Sequence, residues 1–126
     1  MLNYNLNVWG RDFELPVVFD CYKDETVLPE QELALTQFLA ATDLLSSCLD
    51  KVKTYCEKQN PAQFEHAHID NIFKYVIPQQ IYVQRTNDKS RIVALMCAYK
   101  FFPENGLAIV FKNEMFEAIG SQDIVL

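Results

Sequence analysis

Glycine is scarce in this sequence, which contains only Gly10, Gly106 and Gly120. A loop that cradles phosphate groups needs several glycines at fixed spacing, and neither the dinucleotide-binding pattern nor the P-loop pattern is present. The metalloprotease pattern H-E-x-x-H and the hydrolase pattern G-x-S-x-G are also missing. These absences weigh against the common classes of enzyme.

Long apolar runs are missing as well. No run reaches the roughly 18 residues that a membrane span requires. The opening residues, Met1-Leu2-Asn3-Tyr4-Asn5, lack the cationic start and apolar block of a secretory signal. We therefore expect a cytoplasmic protein with no membrane partner.

The four cysteines show no C-x-x-C spacing. In a reducing compartment we expect reduced thiols that serve as small buried hydrophobes. Cys48, Cys56 and Cys97 have apolar neighbours, which raise the pKa of a thiol and lower its reactivity. Cys21 is expected to be the least enclosed, and its neighbour Asp20 disfavours the thiolate. No cysteine is therefore predicted to be an activated nucleophile.

His66 and His68 are the only histidines. Two residues apart, they share a face only on a strand, and zinc would need two further ligands for which no pattern exists nearby. We expect a solvated pair and predict neither a metal nor a cofactor. An enzyme with a pocket near Cys21 or these histidines stays open as a third, least favoured interpretation.

The length and the net charge of the chain limit the number of domains and the kinds of partner that we expect. The chain has 126 residues, half of them apolar, which predicts one folded domain over residues 1–126. The net charge of −6 argues against direct nucleic-acid binding, because phosphate recognition needs a cationic face.

The first twenty residues have the period of two that is typical of strands. Apolar side chains alternate with asparagines over residues 2–8, and alternation resumes from Phe13 to Phe19. A turn at 9–12 would join the two runs into a hairpin. Pro16 lacks an N–H, which predicts an open edge or a bulge near that point of the second strand.

A long helix is predicted next. Pro29 suits its first turn, and apolar residues recur at helical spacing to about Gln59, with no further glycine or proline. Thr42 and Asp43 are weaker helix formers, so a kink or a break into two helices is also consistent with the pattern. Residues 69–76 fit a second, short helix that Pro78 would end.

About four strands follow, at Ile81–Val83, Ile92–Phe102, Leu107–Phe111 and Met115–Ile119. The second is almost continuously apolar, which predicts a central strand buried on both faces. The order predicts an α+β fold in which an antiparallel sheet, built from the N-terminal hairpin and these strands, carries one long and one short helix on one face.

The charge is unevenly distributed. Residues 1–50 contain nine acids and two bases, whereas residues 51–126 contain eight acids and nine bases. A concentrated anionic zone favours association with a basic macromolecule, because complementary potentials speed encounter and fix register. Solubility alone would also explain an acidic surface.

Several segments together resemble a family of small bacterial domains of unknown function. The family carries an aromatic residue, a turn with Glu-x-Gly, then Leu-x-x-x-Phe and a final Ile-Gly in its C-terminal half. The matching residues here are Phe102-Pro103-Glu104-Asn105-Gly106-Leu107-Ala108-Ile109-Val110-Phe111, Ile119-Gly120, Asp123, Leu28-Pro29-Glu30 and Gln37-Phe38-Leu39. The family usually has His in place of Asn105 and often Trp-Asp in place of Phe102-Pro103, so no active residue is carried over.

Members of this type are often encoded beside polymorphic toxins and look like immunity proteins, including those of contact-dependent growth inhibition systems. The resemblance implies a non-enzymatic protein that blocks a cognate toxin domain, in many cases a nuclease with a cationic cleft. We expect its acidic connector to contact the toxin through Tyr22, Asp24, Glu25, Glu30 and Glu32. The alternative is an adaptor or structural domain that forms a homodimer through the open edge of the first hairpin.

Overall fold

The fold was obtained as a computed structural model, and it describes residues 2–41, 43–64 and 69–126. Glu65, His66, Ala67 and His68 lie outside the described residues, so the expectation for the two histidines is not addressed. The elements are β1 (Asn3–Val8), β2 (Arg11–Phe19), α1 (Pro29–Ala40), α2 (Asp43–Gln59), β3 (Val76–Val83), β4 (Ile92–Tyr99), β5 (Leu107–Lys112) and β6 (Met115–Gly120), with 3₁₀ turns at Pro61–Gln63, Ile72–Lys74 and Gln122–Ile124.

The described strands form one six-stranded sheet in the order β1-β2-β3-β4-β5-β6. Every neighbouring pair is antiparallel except β2 and β3, which run parallel. A parallel pair needs a crossover connection, and here α1 and α2 provide it. The predicted α+β class is confirmed, and the parallel pair is the departure from the antiparallel sheet.

The predicted first hairpin is present, and its turn is tighter than expected. Its two-residue loop, Trp9-Gly10, has positive φ angles of 51° and 86°, the combination that suits the right-handed twist of the flanking strands. Pro16 lies opposite Asn3, and pairing of β2 with β3 starts only at Val17. The open edge predicted near Pro16 is therefore confirmed, because the Pro16 nitrogen is directed away from β1, toward the side on which β2 is not yet paired with β3.

The stretch predicted as one long helix is divided into two helices. α1 ends at Ala40, and the Ala41 N–H donates to the carbonyls of Gln37 and Phe38. α2 begins at Asp43, whose carboxylate is favoured in the first turn by the helix dipole. The break falls at the weak helix formers, which is the alternative that the sequence left open.

The region after α2 differs from the sequence-based expectation. The short helix predicted over residues 69–76 is a single 3₁₀ turn, Ile72–Lys74. Pro78 does not end a helix but lies inside β3, where the register with β4 shifts between Pro78 and Gln80. A bulge tolerates a residue that cannot donate to the ladder, which explains how the proline is accommodated.

The two faces of the sheet are covered differently. α1 and α2 bury one face, where Phe38 packs on Phe111 with 5.5 Å between ring centroids. On the other face, Tyr82 and Met96 belong to a smaller apolar cluster that includes Val125. The Gln84 amide donates to the Val125 carbonyl at 3.2 Å, so the segment after β6 crosses this second face. β4 lies in the middle and is buried on both sides, as predicted.

Candidate partner-binding surface

The acidic connector leaves the sheet at the carboxyl end of β2. The Asp20 N–H donates to the Val83 carbonyl at 2.9 Å, which extends the pairing of β2 with β3 by one residue. From there residues 21–28 form a loop that ends at the first turn of α1. The predicted contact residues therefore lie at one end of the sheet, beside the connection between β3 and β4.

The tip of this loop is a compact turn. The Glu25 N–H donates to the Tyr22 carbonyl at 3.0 Å, and the Glu25 Oε1 accepts from the Tyr22 N–H at 2.8 Å. Asp24 has a φ angle of +69°, a left-handed conformation that Asp tolerates better than most residues. These contacts close residues 22–25 on themselves and leave their outer surface exposed.

Arg85, in the connection after β3, holds the loop from the side. Its Nη1 donates to the Thr26 carbonyl at 3.0 Å, and its Nη2 lies 3.3 Å from the Glu25 Oε2. The same guanidinium is 3.8 Å from the Cys21 Sγ. One side chain thus contacts three residues of the loop, and it supplies the positive charge that balances the Glu25 carboxylate.

Gln31 fixes the other end of the loop to the sheet. It is the buried polar residue of the described core, with 2% of its surface exposed. Its amide donates to the carbonyls of Asp20 and Val83, and its Oε1 accepts from the Leu28 N–H at 2.9 Å. The side chain therefore satisfies a free N–H at the start of α1 and joins that helix to β2 and β3.

The five predicted contact residues are not equivalent in the structure. Tyr22 is 78% exposed, and Asp24 and Glu32 are exposed as well. Glu30 is half-buried in the first turn of α1, where a carboxylate is favoured by the helix dipole. Glu25 is exposed but engaged within the protein by Arg85 and the Tyr22 N–H, so it orders the loop rather than presenting a free charge.

The structure does not gather the acids of the first fifty residues into one zone. Asp12 and Glu14 lie near the start of β2, and the loop follows its end, about 25 Å further along a strand of this length. Asp43 and Asp50 lie on α2. The loop therefore carries part of the N-terminal negative charge, and the hairpin carries another part at the opposite end of the sheet.

Comparison with known families assigns the chain along nearly its whole length. A family model matches residues 2–126. The chain belongs to the family described as Domain of unknown function (DUF6985). No curated protein and no solved structure matches the sequence.

The thiols of this DUF6985 domain are largely enclosed. Cys48, Cys56 and Cys97 are buried, and Cys21 is the least enclosed, as expected. Burial raises the pKa of the Cys48 and Cys56 thiols from 9.0 to about 11, and it raises the pKa of Cys97 further. The predicted burial of these three thiols is confirmed.

Two further properties concern the part of the DUF6985 chain that the structure describes. Within residues 2–41, 43–64 and 69–126, no three His, Cys, Asp or Glu side chains come close enough to hold a metal ion. None of the described helices combines the length and the apolar character needed to cross a bilayer.

Sequence reasoning missed the two residues that build this loop. Gln31 stands three residues after Leu28, the spacing of a capping box, but Leu28 lacks the hydroxyl that makes the motif recognisable. Arg85 gave no signal, because a lone arginine after a strand is indistinguishable from a solvated one. Only the parallel pairing of β2 with β3 brings it beside the loop.

Proposed function

We propose that this chain is a cytoplasmic immunity protein that binds a cognate toxin domain and neutralises it by occlusion, without catalysing a reaction. The proposal is supported by the family resemblance stated above and by the character of the loop between β2 and α1. The loop offers an aromatic side chain and free carboxylates on a backbone held by side chains from two other elements.

The observation that carries the proposal is the exposure of Tyr22 on an ordered turn. A tyrosine that is 78% exposed buries little of its ring in the fold, whereas a rigid ring with a polar end is a favourable contact in protein interfaces. Because Glu25 and Arg85 already fix the turn, a partner would not need to order it on binding, which lowers the entropic cost of association.

The charge of the loop suggests the chemistry of the partner. Asp24 on the loop and Glu30 and Glu32 in the first turn of α1 carry carboxylates that can meet Lys or Arg side chains of a toxin. Nuclease clefts are cationic because their substrate is a polyanion, and an acidic inhibitor can occupy such a cleft in place of the substrate. A complete interface of about 800 Å² per partner would extend beyond this loop.

The test is co-expression with the C-terminal domain of the protein encoded immediately upstream. Wild-type protein is expected to restore growth and to bind that domain in a purified system. The double variant Asp24→Lys, Glu32→Lys should slow association about tenfold at low salt and flatten its salt dependence. Tyr22→Ala should mainly speed dissociation, by about tenfold or more.

A matched control reverses two exposed charges elsewhere, Glu57→Lys on α2 and Glu117→Lys on β6, so that net charge changes equally. This control should keep the wild-type kinetics. Absence of growth rescue and of binding by the wild type would overturn the proposed function. Equal slowing in both double variants would remove the loop from the interface.

A further inference from the structure

The free edge of the first hairpin has a definite pattern of backbone groups. The Val17 N–H donates to the Leu2 carbonyl at 2.8 Å, so every second residue from Leu2 directs its backbone toward β2. The alternate residues, Asn3, Asn5 and Asn7, direct their N–H and C=O groups away from the sheet. Three residues of backbone are thus available to pair with a further strand.

β1 lacks the features that usually protect such an edge. Its sequence, NYNLNV, contains no charged residue and no proline, and its pairing with β2 has no bulge. The opposite edge strand, β6, carries Glu117, and its pairing with β5 shifts in register between Val110 and Phe111 of β5. Charges and bulges discourage strand addition, so β1 is the edge left open to it.

A groove follows this edge on the helical side of the sheet. It has a volume of about 370 Å³ and lies between consecutive β1 residues, Tyr4 to Asn7, and the corner at which α1 gives way to α2. Phe38, Leu39 and Leu45 supply its apolar wall, and Asp43 supplies a carboxylate. Side chains of a strand added to β1 would enter this groove at every second position.

Among the described residues, the carboxylates of Asp12, Glu14 and Asp43 lie beside this edge. On the face away from the helices, Glu14 is paired across the strands with Asn5, and Asp12 with Asn7. The neighbouring Arg11 alternates to the other face of β2, where its guanidinium lies over the Phe73 ring at 4.3 Å from the centroid. The surroundings of the edge therefore complement a cationic strand.

We propose that β1 is a docking site for an extended segment of a partner protein, which adds to the sheet as a seventh strand. The segment alternates apolar side chains, which fill the groove, with Lys or Arg side chains, which face Asp12 and Glu14. The outer edge of β1 is a different surface from the acidic loop that follows β2. This inference therefore does not rest on the proposed immunity function.

Two features favour a partner segment over a second copy of this chain. A second copy paired at this edge would bring its own Asp12, Glu14 and Asp43 carboxylates to the carboxylates already there. Each chain also carries a net charge of −6, which opposes self-association. A free extended segment meets neither obstacle.

The probe is an acetylated and amidated heptapeptide in which Lys alternates with Val and Leu. Titrated into isotope-labelled full chain, it should shift the amide resonances of residues 3–7 and of the α1–α2 corner. A twin peptide with N-methylated central amides keeps the side chains and charge but cannot pair, and it should bind at least tenfold more weakly.

Variants of the protein distinguish the contribution of backbone pairing to peptide binding from the contribution of charge. Asn5→Pro removes an outward N–H and should abolish binding, whereas Asn5→Ala keeps that N–H and should preserve it. Glu14→Gln should weaken binding about two- to fivefold, and Glu57→Gln on α2 should not. Should Asn5→Pro fail to fold, the twin peptide still decides the question.

Three results would overturn the proposal. Equal binding of the two peptides would indicate attraction by charge alone. Resonance shifts confined to other surfaces would place the peptide elsewhere. A dimer of the unliganded chain in sedimentation measurements, lost in Asn5→Pro, would assign the edge to a second copy.

Discussion

The guanidinium of Arg85 lies 3.3 Å from the carboxylate of Glu25, and this contact joins the end of β3 to the tip of the acidic loop. Both side chains are partly shielded from water, with 19% and 35% of their surfaces exposed. A pair in this setting is stronger than a fully solvated one, and the additional hydrogen bond to the Thr26 carbonyl fixes its geometry.

Loss of Arg85 is expected to loosen the loop more than the fold. In Arg85→Ala, the amides of residues 21–28 should exchange with solvent at least tenfold faster, because the loop loses its contacts with the guanidinium. The free energy of unfolding should fall by about 1 kcal/mol. Hydrogen exchange and urea denaturation measure the two effects.

The matched control is Arg91→Ala, which removes a bidentate pair with Glu114 at 2.8 Å in the β5–β6 turn. Exchange in residues 21–28 should be unchanged in this variant. Equal acceleration of the loop in both variants would contradict the assignment of Arg85 as its support.

Replacement of Gln31 should destabilise the whole domain. Gln31→Leu fills a similar volume but removes the side-chain partner of the Leu28 N–H and of the Asp20 carbonyl, and leaves the Val83 carbonyl with the Asp20 N–H alone, which we expect to cost about 2 kcal/mol. Gln31→Glu should also destabilise, because a carboxylate cannot donate to the carbonyls of Asp20 and Val83. Urea denaturation at neutral pH checks both, and wild-type stability in either would contradict the role of this amide.

Alanine substitutions at Gly10 and Gly106 distinguish the cost of backbone strain from the cost of steric overlap. A Cβ at Gly106, which has φ of +60°, would lie 2.6 Å from the Cys97 carbonyl oxygen, whereas a Cβ at Gly10, with φ of +86°, would meet nothing within 4 Å. We expect Gly10→Ala to cost about 1 kcal/mol and Gly106→Ala about 3 kcal/mol or more. Thermal unfolding of the two variants measures the difference, and equal losses would refute the overlap at Gly106.

Alkaline pH should destabilise the fold through its buried thiols. The pKa of Cys48 is raised from 9.0 to about 11, so above pH 9 the unfolded chain releases a proton that the native state retains. Stability from this group is complete below pH 9 and is lost as the pH rises toward 11, by about 2 to 3 kcal/mol. Urea denaturation from pH 7 to 10.5 should show this decline, and a smaller slope is expected in Cys48→Ala.

Much of the sheet could be predicted because its signals are local. Apolar residues alternate from Leu2 to Val8 because one face of that strand is buried, and they run almost continuously from Ile92 because both faces of that strand are buried. The spacing of apolar residues along the sequence therefore indicates these strands directly. Pro78 misled the prediction because its tolerance in β3 depends on a bulge against β4, which no local pattern encodes.

The candidate surface was predicted only in part, for a related reason. Exposure of Tyr22 and Asp24 follows from their place in a polar connector. The role of Glu25 depends on Arg85, which is distant in the sequence and approaches only through the parallel pairing of β2 with β3. Charges that pair across such distances cannot be distinguished from free ones by composition.

The parallel pairing of β2 with β3 also determines when the first hairpin can join the sheet during synthesis. Val17 pairs with Ile81, which follows it by 64 residues, so the first hairpin is translated long before its neighbour in the sheet exists. A lone two-stranded unit is marginal in water and exposes one apolar face. The nascent chain therefore exposes the apolar face of an unpaired hairpin for about half of its translation, which makes that hairpin a site of non-native association during synthesis.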